Sequence, residues 1–148
     1  ALPRAYQNGN DLDARGKMLV AAAMGAVAFQ KDLGVVHSLA HPLSSEKNLH
    51  HGLANALCLP AVVDFNNAVV PERIERIRRL TDLTATSLSN ALRSLREKIG
   101  LPNGLGAEGV TKADLPKLAD KAMEDACHRL NPRPCTRDDM LKLYETSL

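Results

Sequence analysis

The sequence predicts an all-α, multi-helix domain, and three observations carry that prediction. Apolar residues recur at helical spacing over most of the chain, no stretch alternates with period 2, and the core must be built from Ala, Leu, Val, Ile and Met. Aromatics are only 3% of the 148 residues, with Tyr6, Phe29, Phe65 and Tyr144 as the whole set. Small and straight-chain side chains lose little rotamer freedom in a helix, so this composition favours helices. The length suits one domain around one core.

The elements follow in order along the chain. The first ten residues, with Pro3, Asn8 and Gly9, read as loop. Asn10 caps a helix that runs to about Gln30, with Asp11 and Asp13 at its positive end. This helix is apolar nearly all round through Leu12, Met18, Leu19, Ala22 and Val27, which predicts burial. Gly16 and Gly25 weaken it locally and permit close approach of neighbours. Asp32 and Gly34 break the pattern. A short helix is predicted over about Val35 to Leu43, ended near Pro42, with a polar turn from Ser44 to Leu49. The next helix starts at His50 or His51 and runs to about Asn66, with a kink at Pro60.

Pro71 opens the amphipathic segment PERIERIRRL, with Ile74, Ile77 and Leu80 facing inward. Thr86 or Ser87 caps a helix in which Leu88, Leu92, Leu95 and Ile99 share a face, and Gly100 stops it. LPNGLGAEG reads as a surface loop. Thr111 or Asp114 starts a helix through about Arg129, and the segment NPRP forces an extended stretch. Thr136 with Asp139 forms a capping box for a last helix to about Thr146. The total is about seven helices and no strand.

Charge and composition exclude several function classes. The net charge is +2, and acids are mixed among the bases. In PERIERIRRL, Glu72 and Glu75 sit at pairing distance from Arg73, Arg76, Arg78 and Arg79, so this is a solvated helix face and not a nucleic-acid patch. The longest apolar run, Met18 to Phe29, is about a dozen residues, too short to span a bilayer. Cys58, Cys127 and Cys135 are odd in number and share no close spacing, which predicts free thiols in a reducing, cytoplasmic setting. Cys58 reads as a small buried hydrophobe, and Arg133 as a residue that fixes the chain's return path.

Four of the five histidines, His37, His41, His50 and His51, crowd into fifteen positions. His37 and His41 are four apart, so on a helix they project from one face. A tight turn between two helices brings His51 back beside His37. Imidazoles in this arrangement suit iron, zinc, nickel or cobalt. A capping or surface role is the plain alternative, since about three protein ligands are usual for a catalytic metal and no Asp or Glu stands at an obvious ligand spacing. Glu124 and His128 form another i,i+4 pair, which a helix-surface contact explains.

The stretch GVVHSLAHPLSSEKNLHHGLANALCLPAVVDFN resembles the second signature region of the iron-containing (group III) alcohol dehydrogenases. The elements that match are His37, His41-Pro42-Leu43, His51-Gly52, Asn55-Ala56, Leu59-Pro60 and Phe65-Asn66. NGNDLDARGKMLVAAAMGAVAFQ is similar to that family's long buried helix, and NPRPCTRDDMLKLYE to its closing segment, so the resemblance covers essentially the whole chain. It implies the dehydroquinate-synthase-like helical domain, with His37 and His51 as metal ligands and His41 beside substrate and nicotinamide in the proton-relay region. It implies Fe2+ or Zn2+ and NAD or NADP as cofactors, a small alcohol or aldehyde as substrate, and a dimer.

The family's other two ligands, an Asp and a His on an earlier helix, have no counterpart in residues 1–148, nor has its Gly-rich nucleotide-binding domain. Ser44 stands where the family usually has Gly. The expectation is therefore a C-terminal, single-domain fragment, inactive alone, of a metal-dependent, NAD(P)-linked alcohol dehydrogenase. The alternatives are a non-catalytic helical module of the same fold and a maleylacetate- or lactaldehyde-reductase-type relative.

Overall fold

In the computed structural model, residues 1–80 and 85–148 are described, and they form helices and turns with no strand among them. The helices are α1 (Leu2–Gln7), α2 (Leu12–Phe29), α3 (Val35–Lys47), α4 (His51–Asn67), α5 (Pro71–Leu80), α6 (Leu88–Lys98), α7 (Leu115–Glu124) and α8 (Arg137–Ser147). Two 3-10 turns, Leu105–Glu108 and Ala126–Leu130, precede α7 and follow it.

α3 and α4 form the centre, and each buries residues at the spacing of one helix face. In α3 these are Val35, Leu39 and Leu43; in α4 they are Ala54, Leu57, Cys58, Ala61 and Val62. α7 adds Leu115, Leu118, Ala119 and Ala122, and α8 adds Met140, Leu143 and Tyr144, closing one continuous core. Fully burying a Leu or Val side chain contributes roughly 1.5–3 kcal/mol. The Tyr144 hydroxyl, brought into this core, donates to the Leu39 carbonyl at 2.7 Å, so no polar atom is stranded there.

Polar ties hold the start of α3. Its N-cap is Gly34, which has no side chain to satisfy the first N–H groups. Asn131 supplies the missing acceptor: its Oδ1 takes the Val35 N–H at 3.4 Å. The Asn131 amide also pairs with Asn66, donating at 2.7 Å and accepting at 3.1 Å. Arg133 lies over the Phe65 ring, 3.8 Å from its centroid, and donates to the Phe65 carbonyl. It fixes the return path of the NPRP segment, as expected.

Several expectations are corrected. Residues Leu2–Gln7 are helical and not loop, and Asp11, not Asn10, caps α2 by accepting from the Ala14 N–H. α3 does not stop at Pro42. It continues to Lys47 because Pro42 is buried in the contact with its neighbours, and packing outweighs one lost backbone hydrogen bond. α7 ends at Glu124, so Glu124 and His128 are not a helical pair; His128 lies in the following 3-10 turn. The loop LPNGLGAEG is not all surface, since Leu105 is fully buried. Ile77 and Leu80 of α5 are exposed, and only Ile74 of the expected inner face is partly covered.

The largest correction concerns α2. The apolar helix expected to be buried exposes Leu12, Leu19, Val20, Met24, Val27 and Phe29, with Leu19 at 73%. Composition sets how much a helix would gain from burial, but a partner surface must exist to realise the gain. Within this chain α2 packs chiefly along α1.

Two outcomes follow. The chain on its own binds an apolar dye such as ANS, and Leu19→Glu with Met24→Glu reduces that signal several-fold while leaving far-UV circular dichroism unchanged. Asn131→Ala, which strands the Val35 N–H and one Asn66 amide, lowers unfolding free energy by about 1–3 kcal/mol in a urea titration.

Candidate functional site

The site is assembled by helix periodicity and one turn. His37 and His41 stand four apart on α3, and their ring centroids are 5.9 Å apart. α3 ends at Asn48, whose left-handed conformation (φ 55) reverses the chain, and the Leu49 N–H closes back onto the Leu43 carbonyl at 3.2 Å. Asn is among the few non-Gly residues that adopt this conformation readily. His50 then caps α4 and His51 opens it. The His51 ring lands 5.2 Å from His37 and 5.3 Å from His41, nearly parallel to the latter at 17°. Three of the four clustered histidines thus converge. His50 is exposed and lies beside Gly52, with its ring 3.3 Å from where a Cβ there would sit.

Neighbouring groups orient two of these rings. Asn55, one turn after His51, places its Nδ2 2.9 Å from the His51 carbonyl and 3.1 Å from His51 Nε2. A carbonyl only accepts, so the amide must present its NH2 there, and His51 Nε2 is then the unprotonated acceptor, its lone pair facing the Asn55 amide. Burial, followed by the neighbouring His51 and His41 rings, pushes the His37 imidazole below its ordinary pKa and favours its neutral form.

His41 is held by a residue that the sequence did not point to. Asp125, at the C-terminal end of α7, takes His41 Nδ1 on Oδ2 at 2.6 Å. Its other oxygen accepts from the Ser38 hydroxyl and from the Cys127 N–H, both at 2.8 Å. Ser38 is fully buried, and its hydroxyl accepts in turn from the His128 N–H at 2.8 Å. Burial alone would raise the Asp125 carboxyl, but His41, the Cys127 N–H and Ser38 together hold it well below the usual carboxylate range.

Two groupings of donor atoms therefore compete for attention. His41, Asp125 and Cys127 are the described residues whose donor atoms all lie within 4.8 Å of one another. Asp125 is already occupied by three hydrogen bonds, and burial together with Asp125 pushes the Cys127 thiol up to about 11. This trio is a hydrogen-bonded clamp. His37 is favoured in its neutral form and His51 Nε2 is unprotonated, with a single amide N–H for an ion to displace, so the convergent imidazoles are the better donor set. His41 and Asp125 also line an open cleft of about 360 Å³ with Pro42, Ser45, Lys121 and Glu124.

No signal for Asp125 was legible in the sequence, because a helix running through about Arg129 places it in a helix interior. In the structure Glu124 and Asp125 stand at a helix C-terminus, where the dipole disfavours negative charge. An acid in that position calls for a partner elsewhere.

Comparison with known proteins shows the family and the fold. The model of the Fe-containing alcohol dehydrogenase family, C-terminal, matches residues 1–148. The chain is 39% identical to the 4-hydroxybutyrate dehydrogenase of Cupriavidus necator, over 99% of its own length and 41% of that protein's. It is 34% identical to the NAD-dependent methanol dehydrogenase of Bacillus methanolicus, again over 99% and 41%. The solved alcohol dehydrogenase from Oenococcus oeni superposes with a TM-score of 0.92 at 30% identity, covering 99% of this chain and 41% of that one. The chain thus spans about two-fifths of the length of these relatives. With its helical fold and its histidine-bearing α3–α4 pair, it belongs to the iron-containing alcohol dehydrogenase family and corresponds to that family's C-terminal domain.

Proposed function

We propose that this chain is the metal-holding, C-terminal part of a metal-dependent, NAD(P)-linked alcohol dehydrogenase that interconverts a small alcohol and its aldehyde or ketone. The observation that carries the reading is the convergence of the His37, His41 and His51 rings within 5.2–5.9 Å of one another. His37 and His51 are the ligands in this reading, and neutral imidazole donors suit Fe2+ or Zn2+. When bound, such an ion supplies Lewis-acid polarisation of the substrate oxygen.

The chain's own residues do the rest. Asn55 keeps the proton off His51 Nε2, so that an arriving ion has only the amide N–H to displace from the lone pair. The lowered pKa of His37 keeps its ring neutral near pH 7, the form that coordinates. His41 is the proton-relay imidazole, stationed between the ligand pair and the cleft it lines with Asp125. The remaining ligands and the NAD(P) site lie in this reading on a portion of the enzyme outside residues 1–148, in line with the two-fifths coverage of relatives. Dimer formation belongs to the same reading, and the apolar surface of α2 is suited to a protein–protein contact.

The test is metal titration of the chain with ferrous or zinc ion. His37→Ala and His51→Ala each weaken binding by about tenfold or more, ~1.4 kcal/mol, and His41→Ala changes it far less. Binding unchanged in both ligand variants overturns the assignment. Mixed with metal, NAD or NADP and a panel of alcohols, the chain alone gives no turnover. Turnover there refutes the need for a further portion.

A further inference from the structure

The clamp around His41 goes a step beyond the metal pair. Ser38 and His41 stand three apart on α3 and reach the two oxygens of a single carboxylate, Ser38 to Oδ1 and His41 Nδ1 to Oδ2. The carboxylate is itself fixed from its own side, because Asp125 caps the Ala126–Leu130 turn through the Cys127 N–H. The Ser38 hydroxyl accepts the His128 N–H, which ties α3 to the same turn a second time. Neither the carboxylate nor the ring rotates without giving up hydrogen bonds of 2.6–2.8 Å.

An ionised carboxylate only accepts, so the nitrogen facing it must carry the proton. We infer that Asp125 is the positioning residue of His41, holding the neutral ring in the Nδ1–H tautomer and leaving Nε2 as its lone-pair nitrogen. The inference rests on the relay role proposed for His41 and names the atom at which that relay takes up its proton, Nε2. It also gives Ser38 a part: by donating to Oδ1 it keeps Oδ2 turned to the ring.

The experiment is a two-bond 1H–15N correlation spectrum of the 15N-labelled chain at a pH where the His41 ring is neutral, with the ring assigned from a His41→Gln variant. The wild-type ring shows its proton on Nδ1 and none on Nε2. In Asp125→Asn, Oδ1 still accepts from Ser38 and Cys127 while the amide NH2 faces the ring, so the proton moves to Nε2. A wild-type ring protonated on Nε2 overturns the inference, and so does a folded Asp125→Asn chain that keeps the wild-type tautomer. Should Asp125→Asn fail to fold, the wild-type spectrum alone decides. The readout needs neither metal nor turnover. A failed metal titration of the His37 and His51 variants therefore leaves it standing, and a wrong tautomer leaves the metal assignment standing.

Discussion

The site depends on one constraint above others, the reversal of the chain through Asn48 between α3 and α4. A helix sets the direction of each side chain by its position along the chain, about 100° per residue. Moving the end of α3 or the start of α4 by one residue would swing His51 by that angle, away from the other two rings. The left-handed Asn48, the return bond from Leu49 to Leu43 and the burial of Leu49 together fix where α4 begins. His37 and His41 need no such device, since four residues on one helix already place them together.

A fixed turn is useful only if α3 itself cannot shift. It is anchored at its start and in its middle. At the start, Asn131 stands in for the cap that Gly34 cannot provide, and the Asn131–Asn66 pair links that cap to the end of α4. In the middle, Tyr144 reaches from α8 to the Leu39 carbonyl, and Leu39 and Leu43 are fully buried. An unsatisfied buried donor costs about 1–3 kcal/mol, so each tie penalises displacement of the helix more than its own net strength suggests. The histidine face of α3 is presented by a helix whose opposite face is locked.

What could be read from the sequence divides along the distance over which each feature is decided. The Ser87 cap, the Thr136–Asp139 capping box and the His37–His41 spacing are settled within four residues, and all are present as expected. The return of His51 spans ten residues from His41 and was still legible, because a tight turn between two helices leaves few alternatives. Features decided by partners elsewhere were not legible. α3 survives Pro42 because of packing that no local window contains, and Leu105 is buried beneath a loop whose composition looks exposed. α2 is the converse: its composition states a demand for burial, and among the described residues no surface meets it.

Asp125 belongs with the features decided at a distance, 84 residues from His41. An acid at the C-terminal end of a helix is opposed by the dipole and, here, by burial as well. Its carboxylate is nevertheless held below the ordinary range, so the three donors that reach it outweigh the cost of burial. A carboxylate that ends one helix, caps the next turn through the Cys127 N–H and is also held by Ser38 and His41 does more than a cap requires. It is a good way to hold an imidazole in one tautomer beside two others, because Ser38 and the Cys127 N–H fix one carboxylate oxygen and leave the other turned to the ring.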